Sequence, residues 1–157
     1  METDRLVEEL RDERDAFLRT LDAVAPESMT TPGLVGEWSA RDLVAHLGYW
    51  VGHAAEVIHA VEEGRIEEVG VGEPPVDDVN ATVARVARTT ELATVRKREA
   101  ASVEALIERL LLLDPALLGE RLPDGATLEE GIREDGAAHY REHADGLRTV
   151  LGERPRG

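Results

Sequence analysis

At 157 residues, the chain is long enough for one domain with a substantial core. A formal charge of −15, from 33 acidic against 18 basic residues, argues against a phosphate-backbone partner. Cysteine is absent, which excludes disulfides and any nucleophilic thiol on the chain itself. Aromatic residues make up only 3%, so the core must be aliphatic, which suits packed helices. The N-terminus is charged rather than hydrophobic, and no apolar run approaches the ~18 residues of a membrane span. The expectation is a cytoplasmic protein with no nucleic-acid and no membrane partner.

Residues 3–24 predict a first helix, because Leu6, Leu10, Phe17, Leu21 and Val24 follow the i, i+3/i+4 rhythm. Arg14 interrupts that stripe, either as a long side chain snorkelling off the core edge or as a polar group facing a cavity. Pro32, Gly33 and Gly36 mark residues 26–37 as a loop. Ser39-Ala40-Arg41-Asp42 resembles a capping box with Asp in place of Glu, opening a second helix that Gly64 ends. Its inward face reads Leu43, His46, Leu47, Trp50, Ala54, Val57 and Val61, so a histidine sits where hydrocarbon is expected.

After a Gly/Pro-rich loop over 65–75, Asp77 or Asp78 starts a third helical stretch with Val79, Val83 and Val86 on one face. Thr89 and Thr90 are weak helix formers and predict a kink or restart. The pattern resumes with Leu92, Val95, Leu106, Leu110 and Leu113, with Glu99 on or beside the stripe, and Asp114-Pro115 stops it. A second capping box, Thr127-Leu128-Glu129-Glu130, opens a last helix running to Leu151 along Leu128, Ile132, His139, His143, Leu147 and Val150. No segment alternates like a strand, and no repeat is present. Four long amphipathic segments imply an all-α fold, a four-helix bundle in a single domain over 1–157, with up-down and crossover connections both open.

His139 and His143 lie four residues apart, one turn of helix, so both rings can reach one point. A buried imidazole needs a partner for each nitrogen. In a bundle, facing helices share an interior, and His46 can meet this pair there. Three neutral imidazoles with an open position suit Zn2+, Ni2+ or Fe2+ in the catalytic type of site. On spacing alone, structural histidines bonded to backbone or carboxylate are the favoured reading, since H-x-x-x-H arises by chance and the segment lacks the Glu of H-E-x-x-H.

Around this centre several residues have two readings. His53, two turns beyond His46, lines the pocket or hydrogen-bonds within the core. Trp50 is core or pocket wall. Glu99 reaches the metal, orients a ligand imidazole as an outer carboxylate, or is a solvated residue at the stripe edge. Trp38 packs as a staple before the Ser39 cap, and His59 lies on the surface. Tyr140 neighbours His139 but points round the helix. Arg85 and Arg88 meet an anionic substrate or pair with surface acids.

The run Gly36-Glu37-Trp38-Ser39-Ala40-Arg41-Asp42-Leu43-Val44-Ala45-His46-Leu47, followed late in the chain by His139-Tyr140-Arg141-Glu142-His143, resembles the DinB/YfiT-like superfamily. That group includes the mycothiol-dependent maleylpyruvate isomerases, the bacillithiol transferases and the ClbS-like proteins. The resemblance covers nearly the whole chain. It implies a four-helix bundle holding a divalent metal on His46, His139 and His143. It further implies activation of a low-molecular-weight thiol such as mycothiol, or of water, for transfer or isomerisation of a small electrophilic substrate. The absence of cysteine fits a thiol supplied from outside. ClbS-like members imply an alternative, a metal-free protein that binds or sequesters a small molecule. Bundles of this type often pair through exposed faces, so a homodimer is also expected.

Overall fold

A computed structural model describes residues 1–153. It contains α1 (Glu2–Leu21), α2 (Ala40–Glu62), α3 (Val76–Arg88), α4 (Leu92–Leu112), α5 (Leu128–Asp135) and α6 (Ala137–Glu153), with 3-10 turns at Pro26–Met29, Ile66–Glu68 and Pro115–Gly119. Among the described residues there is no strand, only isolated bridges between Val35 and Trp38 and between Arg121 and Thr127. The four long helices α1, α2, α4 and α6 form the bundle. α2 packs chiefly on α4, and α1 on α6.

Local chemistry explains where α2 starts. The Asp42 N–H donates to Ser39 Oγ at 3.2 Å and the Ser39 N–H donates to the Asp42 carboxylate at 3.0 Å, completing the capping box the sequence predicts. The buried face of α1 is Leu6, Val7, Leu10, Phe17 and Leu21. Each such side chain removed from water contributes about 1.5–3 kcal/mol before entropy is counted. α2 and α4 approach closely because Gly48 presents no side chain. A Cβ there would lie 3.0 Å from Glu99 Cα.

The restart expected at Thr89–Thr90 is present. α3 ends at Arg88, α4 begins at Leu92, and the Thr90 hydroxyl donates to the Val86 carbonyl at 2.7 Å. Arg41, at the start of α2, donates to the carbonyls of Arg88 and Thr90 at 3.0 and 3.2 Å and ties this corner to the bundle.

Two expectations need correction. The last helix is not continuous from 127 to 151, because Gly136 divides it into α5 and α6. Gly136 has φ −111° and ψ −107°, and its N–H donates to the carbonyls of Ile132 and Arg133. A Cβ at this position would sit 2.8 Å from the Ile132 oxygen, so the break depends on glycine. The break also resets the phase of α6. Its most buried residues are Ala137, Tyr140, Ala144 and Leu147, with His139 and His143 half-buried on the flank.

The second correction concerns α3. Its buried residues are Ala84 and Ala87, not the valine stripe. Val79 and Val83 are half-buried and Val86 is 51% exposed. Small alanines allow α3 to lie close against α2, which leaves Val83 and Val86 facing sideways into a cavity.

Candidate metal centre

His46 comes from α2, while His139 and His143 come from α6. Nε2 of His46 lies 2.9 Å from Nε2 of His139, and Nε2 of His143 lies 3.1 Å from the same atom. All three donor atoms fall within 4.8 Å of one another. His46 is buried and the other two are half-buried, so one side of the cluster stays accessible.

Burial holds all three rings neutral. It pushes His46 down to about 3, with His139 and His143 adding to the effect. Burial likewise pushes His139 down to about 4, again reinforced by His143. His143 is lowered, mainly by burial. These are the deprotonated donors that a metal requires.

The donor set fits a divalent cation. Nδ1 of His46 and Nδ1 of His139 are buried without a hydrogen-bond partner. Asn80 pulls His46 weakly toward protonation and the Asp135 backbone does the same for His139, but neither completes a hydrogen bond at Nδ1. A neutral imidazole carries one N–H. With that proton on Nδ1 of each ring, three Nε2 lone pairs converge and repel one another, which a shared cation would relieve. Metal–nitrogen bonds of about 2.0–2.1 Å in a tetrahedron place nitrogens about 3.3 Å apart. The two spacings to His139 Nε2, 2.9 and 3.1 Å, fall a few tenths of an ångström short of that, so these two pairs need little movement.

Trp38 covers the outer side of the centre, with its ring centroid 4.8 Å from that of His46. Its position just before the Ser39 cap brings it there, a contact that spacing alone did not reveal. Glu99 contacts none of the three imidazoles. Its carboxylate, 4% exposed, accepts from Arg14 Nε at 2.6 Å and Nη2 at 2.8 Å, and from the Tyr140 hydroxyl at 2.6 Å. Three donors occupy its oxygens, so it is a structural anion joining α1, α4 and α6. Tyr140 is fully buried, edge-on to Phe17 at 5.7 Å, and burial raises its pKa well above the usual value. Arg14 therefore has a role neither sequence reading named. The available signal was two opposite charges, Arg14 and Glu99, each on an apolar stripe.

Trp50 and His53 form a separate cleft beside the centre, with Glu73, Asp135 and apolar Val57 and Ile132, of about 260 Å3. Trp50 Nε1 donates to Asn80 Oδ1 at 2.8 Å. His53 Nδ1 lies 2.9 Å from Asp135 Oδ2, and this hydrogen bond raises the His53 pKa. His59 is an outer residue, near Glu63 at 3.1 Å. Arg85 and Arg88 make no ion pair among the described residues.

A family model described as the mycothiol maleylpyruvate isomerase N-terminal domain matches residues 10–144. The chain belongs to this family. The matched span contains His46, His139 and His143, together with Arg14, Glu99 and Tyr140. Among solved structures, an uncharacterised protein from Escherichia coli UTI89 superimposes with a TM-score of 0.81. It is 14% identical, and the match covers 96% of this chain and 92% of that one. At that identity the likeness shows the helical-bundle fold and nothing more. No curated protein matches the chain.

Proposed function

We propose that the protein binds one divalent cation, Zn2+, Ni2+ or Fe2+, on Nε2 of His46, His139 and His143 and acts as a thiol-dependent transferase or isomerase. The observation that carries this reading is the convergence of three neutral imidazole donors from two helices within 4.8 Å. When bound, such a cation leaves a coordination position open and lowers the pKa of a thiol or water placed there.

The chain's own groups support that chemistry. Trp38 excludes water from one side of His46. Tyr140, anchored through Glu99 to Arg14, fixes the rotation of α6 and hence the aim of His139 and His143. The cleft of Trp50 and His53 offers an apolar wall and a proton-carrying ring to a small-molecule substrate. With no cysteine on the chain, a nucleophilic thiol must arrive from solution, and the family description makes mycothiol the first candidate.

The test is metal analysis of protein purified without a polyhistidine tag, followed by a screen of low-molecular-weight thiols against small electrophiles. One equivalent of metal in the wild type, its loss in His139→Ala and turnover that requires both metal and thiol are the expected results. Metal-free protein that still sequesters small electrophiles would replace this reading with the ClbS-like one.

A further inference from the structure

A second cavity, of about 300 Å3, lies between α2, α3 and α4, away from the imidazole cluster. Its walls are apolar, built from Ala45, Val83, Val86, Ala87 and Val95, with the 42% exposed Tyr49 at its edge. This is the cavity into which Val83 and Val86 of α3 turn. Its volume is at the lower end of small-molecule sites.

Two charged side chains line it, Arg98 and Glu99. Glu99 is already saturated by Arg14 and Tyr140. Among the described residues Arg98 makes no ion pair, so the apolar cavity carries one uncompensated positive charge on its wall. The surroundings extend that sign. Between Val79 and Arg98 the chain carries Arg85, Arg88, Arg96, Lys97 and Arg98 against one acid, Glu91, in a protein whose formal charge is −15. All five cations are exposed, and none is ion-paired among the described residues. An isolated basic corner on an acidic protein raises the local concentration of anions.

We infer that this cavity is a binding site for a small organic monoanion, a carboxylate on an aromatic or branched hydrocarbon body. The body occupies the valine-lined space and the carboxylate meets the Arg98 fork, which suits two-point recognition of a planar anion. The corner is held open for such a ligand by fixed contacts. Arg41 clamps the α3–α4 turn and Asn80 bonds Trp50, so α3 cannot close down onto Val95. The site stands independently of the metal reading, since no imidazole lines it.

Calorimetric titration of metal-stripped protein with benzoate, and with benzyl alcohol as the neutral counterpart, tests this. Benzoate should bind, and benzyl alcohol at least about tenfold more weakly, because a charge-assisted hydrogen bond to the carboxylate is lost. Arg98→Gln should weaken benzoate about tenfold or more while leaving the metal content of untreated protein unchanged. Val83→Trp should fill the space and abolish binding, with circular dichroism confirming the helical fold of both variants. No benzoate binding up to about 10 mM would overturn the inference. So would equal binding of the acid and the alcohol, or an Arg98→Gln variant as tight as wild type. Binding seen only in metal-loaded protein and lost in His139→Ala would assign benzoate to the imidazole centre and sink this site alone.

Discussion

At the scale of single side chains, the depressed pKa values of the histidines set how the metal-free protein responds to acid. His46 is held at about 3, His139 at about 4, and His143 is lowered, whereas the same residues in the unfolded chain titrate near 6.5. Below about pH 6.5 the unfolded chain therefore takes up protons that the folded chain refuses, so stability falls with acid through the window down to the folded values. His53 has the opposite sign. Its pKa is raised by Asp135, so its contribution is complete below the unfolded value and fades as pH rises through the folded one. Melting temperatures of metal-stripped protein between pH 4 and 8 check both. His46→Gln should flatten the acid limb, and the deficit of His53→Gln should shrink above neutrality. A second residue-scale prediction concerns Arg14→Met. It strands a carboxylate that is 4% exposed and should cost on the order of 3–5 kcal/mol in urea unfolding. Adding Glu99→Gln should recover part of that loss, because the two positions share one interaction. The imidazole trio was legible in the chain because two histidines one turn apart and a third on another apolar stripe can share one interior. Spacing alone also fitted structural histidines, and the resemblance of the flanking runs to the DinB/YfiT-like superfamily is what singled out a shared site. The Arg14–Glu99–Tyr140 cluster was not legible, since its members come from three distant segments and periodicity places Tyr140 only by the phase of a helix that Gly136 resets.

At the scale of helices, capping and breaks decide the architecture. Ser39→Ala removes the acceptor for the Asp42 N–H and should cost about 1 kcal/mol, with the α2 start frayed in amide exchange. Gly136→Ala should cost more, about 1–3 kcal/mol, because its Cβ meets the Ile132 carbonyl at 2.8 Å. The same variant should weaken metal binding, since rotating α6 moves His139 and His143 together. Wild-type affinity in Gly136→Ala would show that the break does not aim the histidines. The two interruptions were not equally readable. Paired threonines at 89 and 90 compete for helix hydrogen bonds and announced the first. The second lies within a stripe regular enough to hide one glycine. Asp135-Gly136 carried a stop signal that the continuing pattern on either side outweighed. The alanine-for-valine exchange on α3 escaped for a related reason: hydrophobicity ranks valine as core, but close helix packing selected Ala84 and Ala87.

At the scale of the whole molecule, a bundle of aliphatic helices brings α2 and α6 together where the three imidazoles meet. The pairing of α1 with α6 and of α2 with α4 leaves this seam to be closed by the histidines rather than by a large apolar contact. A cation there should act as a cross-brace. Zn2+ at 100 times its dissociation constant should add about 2.7 kcal/mol of stability. For a chain of this size that corresponds to a rise of about 5–10 °C in melting temperature. His139→Ala should show no such rise. The central claim, that one cation is gripped by rings from two distant stretches of chain, is tested most directly by anomalous diffraction from crystals of tag-free protein grown with one equivalent of Zn2+. The account predicts a single strong peak about 2.0–2.1 Å from Nε2 of His46, His139 and His143. A peak bound elsewhere, or none between these rings, would contradict it.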